Sequence, residues 1–296
     1  MAGDRNYSGW RWIFIIEGVA TTLIGAASKL FIVDWPESAK FLNSDERDLL
    51  LRRLAEDVEE VKMDRLDRKA ARRVFGDWKI YAGTVMYFGI VNTGYSVSFF
   101  TPTILKQLGW TSYKAQYLSI PIYVTAAVVT LSIAILSDKL CHRYGFAMLG
   151  IAVATVGYGI LLATDSVAVP VRYFALYMVT VGGYITQPIV LAWLANNMGG
   201  HYKRSISTAM QIGLGNAGGI VASNIFISNE APSYPVGYGV SLGMLWLCGI
   251  ACTILFIGLR LENRKRERGG RDDRYTLDRD ELENLGDDHP RFRYTY

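Results

Sequence analysis

The chain has 296 residues, 51% of them hydrophobic and 20% charged, with a net charge of +4. Its mean hydropathy of +0.17 is too apolar for an ordinary soluble domain and too charged for membrane spans alone, so the charge must lie between apolar segments. So mild a net charge gives no ground for a nucleic-acid partner, and three cysteines make neither a disulfide framework nor a metal-ligand spacing.

Residues 1–33 hold a short polar leader and a first apolar run at 12–33. That run is too long for a signal-peptide core and has no cleavage-like end, so no cleavable signal is expected. Asn6-Tyr7-Ser8 is a glycosylation sequon of a kind that arises often by chance. Glu17 sits inside the run, an expensive position that invites a functional reading. It is also close to the outer end, where a water-facing or interhelical role serves equally. Lys29 is near enough to the other end to snorkel.

The 34–78 connection carries ten basic and twelve acidic residues. Ser44 is placed to cap a helix, and Asp45 and Glu46 suit its positive N-terminus. Leu50, Leu51, Leu54, Val58 and Val61 recur at helical spacing, which predicts an amphipathic cytoplasmic helix.

Six further apolar stretches follow, at 79–100, 116–136, 144–163, 171–194, 205–227 and 237–259. A hydrocarbon core about 30 Å thick needs roughly twenty apolar helical residues. Runs of this length without strand alternation mean helices, because backbone groups in lipid must be satisfied within the segment. The expected fold is all-α: a polytopic membrane protein of seven transmembrane helices. Lys and Arg number ten, two, two and ten in 34–78, 137–143, 195–204 and 260–296. The alternate connections hold two, two, none and none. This asymmetry puts the 34–78 loop and the tail in the cytoplasm. The tail, 260–296, has ten basic and ten acidic residues and few apolar ones. It is expected to be disordered beyond a short helical extension.

An uncharged polar residue inside a span either glues helices together or touches a ligand. Asn92, Tyr95 and Ser96 fall on one side of the second span. Gln116, Ser119, Tyr123, Ala127 and Thr130 form a stripe along the third, with Pro121 beside it. In the fifth, Tyr184 and Gln187 precede Pro188, which frees the carbonyl of Tyr184 and bends the helix next to an amide. A ligand site or a simple kink both fit. The sixth reads Gln211-Ile212-Gly213-Leu214-Gly215-Asn216-Ala217-Gly218-Gly219. Gly215 and Gly219 form a small-xxx-small pair for close helix approach. Gln211 and Asn216 lie about 140° apart on a regular helix, so one can face a ligand while the other bridges helices. Asp138 and Arg143 bracket a short turn, where they can pair as an inner gate or stand solvated. Cys141, Cys248 and Cys252 read as incidental.

Together these residues resemble a family. The marks are Gly9-Trp10-Arg11-Trp12-Ile13-Phe14, Glu17-Gly18, Asp34-Trp35-Pro36-Glu37, Phe100-Thr101-Pro102, Leu108-Gly109, Ala115-Gln116, Ser137-Asp138 and Val171-Arg172-Tyr173-Phe174. More specific are Trp193, Asn196-Asn197, Lys203-Arg204, Gln211-Ile212 and Gly215-Asn216-Ala217-Gly218-Gly219. From about residue 9 to 263 the chain resembles a fungal major facilitator superfamily transporter of the allantoate permease (anion:cation symporter) group. It looks like the C-terminal half of such a protein with one preceding helix. Lys139 stands where that group's gating loop usually has Arg, and Glu230-Ala231-Pro232 where it often has Asp-Ala-Pro.

The resemblance implies two six-helix halves with substrate held between them near mid-membrane, so about five helices are expected to be missing before Met1. In that fold the first and fourth helices of each half line the cavity; here they are the second and fifth spans, carrying Asn92, Tyr95, Tyr184 and Gln187. Tyr123, Gln211 and Asn216 complete the expected substrate-binding set, with Asp138 and Arg143 as the gate. The implied substrate is a small organic anion or related nitrogen compound of the allantoate or ureido acid, vitamin or dipeptide class. Proton coupling is expected in the whole protein, at the plasma membrane. No mid-span acid or base remains in the six-helix half to carry a proton or neutralise an anion. Expected partners are the substrate, the lipid bilayer, and either a missing N-terminal half or a second copy. No cofactor, metal site or enzymatic constellation is indicated. The rival readings are a truncated, non-transporting fragment and a seven-helix receptor; against the receptor, the last span has neither a retinal-binding Lys nor an Asn-Pro pair.

Overall fold

A computed structural model describes residues 9–296 apart from 35, 37, 40, 59–62, 64, 66, 164, 165 and 232, with backbone alone at 9, 54–58, 228 and 283. The sequon, Val61, Trp35, Glu37 and Pro232 therefore lie outside the described residues or side chains, as do the side chains of Leu54 and Val58. The fold class is the expected one: every described element is helical and no strand occurs among the described residues. The chain divides into compact units at residues 1–59 and 60–296.

The first unit holds α1 (Gly9–Ser28) and α2 (Ser44–Val58). Along α1 the apolar residues Ile13, Phe14, Leu23 and Ile24 are all exposed, as befits a helix whose solvent is lipid; Glu17 is exposed too. The cap of α2 falls one residue earlier than expected. The Asn43 N–H donates to Glu46 Oε2 at 3.0 Å, and the Asn43 carbonyl accepts from Arg47 N at 2.9 Å. Glu46 thus supplies the side-chain half of a capping box, with Asn43 rather than Ser44 at the cap position.

The second unit is a bundle of long helices around α4. Asp67 caps the short α3 (Arg68–Phe75) by accepting the Ala70 N–H at 2.6 Å. Asp77 caps α4 (Trp78–Gln107) by accepting the Lys79 N–H at 3.0 Å. Next come α5 (Ser112–Leu140), α6 (Arg143–Leu162), α7 (Val169–Asn196), α8 (His201–Gly215), α9 (Gly218–Asn224) and α10 (Pro235–Glu267). The central helix α4 touches α5, α7, α8, α9 and α10, while α6 and α7 pack along each other. At the crossing of α6 and α7, a methyl group on Gly150 would lie 2.7 Å from the Gly182 carbonyl oxygen. Only glycine lets these backbones come so close. Met86, Ile90, Ile122, Ile151, Val190, Trp193 and Leu245 fill the interior.

Three expectations are revised. First, among the described residues five helices are long and apolar enough to cross a membrane: residues 10–28, α5, α6, α7 and α10. At 30 residues α4 is long enough, but polar residues interrupt its apolar character, so the expected seven is an approximate count. Second, the 205–227 span is two helices. Between α8 and α9 the chain tightens into i→i−3 hydrogen bonding, from Ala217 N to Leu214 O at 3.1 Å and from Gly219 N to Asn216 O at 2.9 Å. Third, the tail is ordered. Beyond α10 it forms 3-10 turns at 272–276 and 286–288 around α11 (Arg279–Glu283), and it returns to bury Leu285, Asp287 and Tyr294.

Candidate functional site: an uncharged cavity and a charged base

A cavity of about 240 Å³ opens between α4, α7 and the α8–α9 junction. Val91, Gly94, Tyr95 and Ser98 line it from α4, Tyr184 and Gln187 from α7, and Asn216 from the junction. Heptad-like steps along α4 put the first four on one face. The Gln187 amide makes a long hydrogen bond of 3.4 Å to the Tyr87 hydroxyl. A methyl group on Gly94 would come within 3.3 Å of Gln187 Oε1, so glycine there gives the amide room. The Tyr95 ring stacks on Phe99, with centroids 5.5 Å apart. Tyr123 stands behind the cavity, its ring edge-on to Tyr184 at 6.3 Å and its hydroxyl donating to Val97 O at 3.4 Å. The lining offers amides and hydroxyls but no charge. It can hydrogen-bond a carboxylate or ureido group without neutralising it.

The structure separates the seven expected binding residues. Tyr95, Tyr184, Gln187 and Asn216 share the cavity, and Tyr123 supports it. Asn92 does not line it. Fully buried, it points at α9, donating to Gly218 O at 3.5 Å. Ser96, one turn on, meets Ser241 of α10 at 3.3 Å. One turn of α4 thus has Tyr95 facing the cavity and Asn92 and Ser96 facing its neighbours, because residues three and four apart straddle a helix face about 100° wide. Gln211 is also buried, donating to Gly83 O of α4 at 3.2 Å and Val190 O of α7 at 3.3 Å. It is the helix bridge, and of that pair only Asn216 lines the cavity. Gly94 and Ser98 escaped the sequence reading, although Ser98 continues the Tyr95 face by one turn.

The second site is the base of the bundle, where α4, α6 and α8 begin and α5, α7 and α10 end. Arg143 pairs with Asp138 at 2.8 Å across a turn in which Cys141 adopts φ 50°. With the Asn196 amide oxygen turned toward the guanidinium, Arg143 also donates to it at 2.8 and 3.2 Å. The two proposed gate residues are therefore in contact, and Asn196 ties them to α7.

Beside this pair lies a cluster that the sequence reading missed. Lys79 Nζ is 3.0 Å from Asp77 and 2.8 Å from Asp287; Lys203 Nζ is 2.6 Å from Asp77 and 2.7 Å from Asp287. All four side chains are buried. The tail thus supplies a second carboxylate to two ammonium groups that would otherwise share one. Burial alone would raise the Asp287 carboxyl, but Lys79 and Lys203 outweigh it and hold the group well below the usual carboxylate range. The Tyr294 hydroxyl takes a hydrogen bond from Lys79 at 2.8 Å and gives one to Asp287 at 3.0 Å. Its ring lies 4.6 Å from both Lys79 Nζ and Arg266 Cζ.

Two asparagines fasten the tail's backbone. Asn263 receives the Tyr294 N–H at 3.0 Å and returns a bond to Tyr294 O at 2.9 Å. Asn197 does the same with Thr295 at 2.8 and 3.0 Å, and Trp193 Nε1 adds a bond to Thr295 O at 3.0 Å. Tyr296 packs edge-on to Phe256, and its carbonyl accepts the Arg143 N–H at 2.6 Å. These bonds are the physical reason for the order at the end of the tail: Asp287 is paired and Tyr294 buried, and the backbone of Tyr294, Thr295 and Tyr296 is fastened to α10, α7 and α6, while most of residues 267–281 stay exposed.

Among known proteins, the profile of the Major Facilitator Superfamily matches residues 6–223. An uncharacterized transporter of Schizosaccharomyces pombe is 35% identical over 263 residues, covering 88% of this chain and 52% of the relative. The MFS-type transporter cnsO of Penicillium expansum is 33% identical over 99% of this chain and 59% of its own length. The high-affinity nicotinic acid transporter of Saccharomyces cerevisiae is 29% identical over 97% of this chain and 54% of its own. The chain spans about half the length of the curated relatives it matches. The helical bundle and a profile match over most of the chain lead to one assignment: this is an integral membrane protein of the Major Facilitator Superfamily.

Proposed function

We propose that the chain forms part of a carrier for a small organic anion or related nitrogen compound, in the class of ureido acids such as allantoate, vitamins or dipeptides. Tyr95, Tyr184, Gln187 and Asn216 contact the substrate, and Asp138 with Arg143 closes the base, which faces the cytoplasm of the plasma membrane. The observation that carries this reading is the cavity: four side chains from three elements converge on an uncharged polar space, and its key amide is only loosely engaged. The similarity to a transporter named for nicotinic acid supports a small carboxylate. Within the allantoate permease group, proton coupling in the whole carrier rests on acids outside the described bundle, since the cavity lining holds none.

The test is equilibrium binding of a carboxylate panel headed by nicotinate to the membrane-reconstituted chain, with Gln187→Ala beside it. Losing a hydrogen bond to a charged group removes about 1.5–3 kcal/mol, or roughly ten- to a hundredfold in affinity. Binding that weakens by that factor supports the site. Absence of binding across the panel, or indifference to Gln187→Ala, overturns it.

A second reading, a fragment that does not transport alone, is favoured by the half-length coverage of the relatives. Alternating access needs two bundles rocking about one site. Liposomes with an imposed pH gradient should therefore show no accumulation of the panel by this chain alone. Robust accumulation would require a homodimeric carrier instead.

A further inference from the structure

A second cavity, of about 350 Å³, lies at the base between the α3–α4 corner, the end of α10 and the tail. Arg72, Arg73, Lys79, Arg266 and Arg271 line it, with Asp77, Glu262 and Asp288 as the acids. Those acids are already neutralised within the fold. Glu262 takes two bonds from Arg271, at 2.8 and 2.9 Å, and one from Arg266 at 3.1 Å. Asp288 is held by Arg274 at 3.2 Å, and Asp77 by Lys79 and Lys203.

Arg72 and Arg73 are different. Neither has an ion-pair or side-chain hydrogen-bond partner among the described residues, and Nε of Arg73 is out of solvent with no acceptor. Asp67 and Glu281 act on Arg73 only from longer range. Trp78 of the lining is about half exposed, as are Phe75 and Tyr81 at the same α3–α4 corner. The Tyr81 hydroxyl donates to Phe75 O at 2.7 Å, which ties the first turn of α4 to the end of α3. Exposed aromatics of this kind sit at the level of lipid headgroups.

We infer that this cavity binds the phosphate headgroup of an anionic membrane lipid, with Arg72 and Arg73 as its ligands. Arginine presents a rigid fork that matches phosphate oxygens in pairs. Basic pockets beside transmembrane helices on the cytoplasmic side suit phosphorylated headgroups. The volume exceeds what a bare phosphate fills, and the exposed aromatics place the acyl chains alongside α4 and α10. The inference rests on the membrane reading and its sidedness but not on transport, so its failure would leave substrate binding untouched.

The experiment is thermal unfolding of the purified full chain in detergent, titrated with phosphatidylinositol phosphate, phosphatidylcholine or soluble inositol phosphate. The phosphoinositide should raise the unfolding midpoint, with little effect of the other two. Arg72→Gln/Arg73→Gln should keep the unliganded midpoint and bind the phosphoinositide about tenfold more weakly. Arg72→Lys/Arg73→Lys, which keeps the charge and loses the fork, should fall between. An equal response in the Gln variant, or none to the lipid in the parent, overturns the site. Stabilisation by inositol phosphate matching that by the lipid overturns the lipid as its occupant.

Discussion

The cavity and the base of this bundle treat polar groups in opposite ways. In the cavity Gln187 has one hydrogen bond, of 3.4 Å, Asn216 is exposed, and no charge is present. At the base four buried charges sit within 3.0 Å of their partners, and Asn197 and Asn263 each engage both the N–H and the carbonyl of a tail residue. The cavity groups keep hydrogen-bonding capacity to spare, as the proposed exchange of water for a ligand requires. The buried charges at the base are paired, whereas the helix-bridging amides Asn92 and Gln211 each leave an oxygen without a partner, because an unpaired charge in a low-dielectric interior is far more expensive than an unpaired amide.

The largest effect should come from unbalancing the base. Asp287→Ala leaves Lys79 and Lys203 with Asp77 alone, and removing one member of a buried ion cluster destabilises by about 3–5 kcal/mol. Thermal unfolding in detergent should show a large drop. The pH dependence follows from the lowered carboxyl of Asp287. A depressed folded value means that the stabilisation is complete above the unfolded value near ~3.9 and fades as pH falls below it. The gap between the parent and Asp287→Asn should be constant from about pH 5 to 8 and should narrow below about 4.

A smaller effect is expected where backbones touch. A methyl group on Gly150 meets the Gly182 carbonyl at 2.7 Å and Ile185 at 3.2 Å, so Gly150→Ala should destabilise by about 1–3 kcal/mol, read by the same unfolding measurement. Asn92→Ala contrasts with Gln187→Ala in kind. Having lost a buried contact between α4 and α9, it should lower stability by about 1 kcal/mol while leaving carboxylate affinity unchanged. A tenfold loss of affinity in Asn92→Ala would return that residue to the binding site. Smallest is Asp138→Asn: Asp138 is mostly exposed, so its pair with Arg143 should contribute only about 0.2–1 kcal/mol to stability.

Much of this architecture was legible because apolar runs report burial in lipid directly. The runs at 116–136 and 237–259 sit inside α5 and α10, and Tyr184 with Gln187 stood out as amide and phenol beside a proline. What was illegible depended on partners distant in sequence. Asn92 and Tyr95 look alike on a helical wheel, and only the placement of α9, through Gly218, separates them. The tail read as solvated because its ten acids and ten bases were counted without partners. Lys79 and Asp287 meet across more than two hundred residues of sequence. The nearest signal was Phe292, Tyr294 and Tyr296, alternating aromatics unusual in a disordered segment.

The contrast between the two regions is tested most directly by measuring nicotinate-panel affinity and unfolding midpoint on the same preparations of Gln187→Ala and Asp287→Asn. The account predicts a crossover. Gln187→Ala should lose ten- to a hundredfold in affinity with its midpoint unchanged, and Asp287→Asn should lose midpoint while the protein that remains folded binds as the parent does. A Gln187→Ala protein that unfolds early yet binds normally would contradict it, by making the cavity amide a packing residue like Asn92.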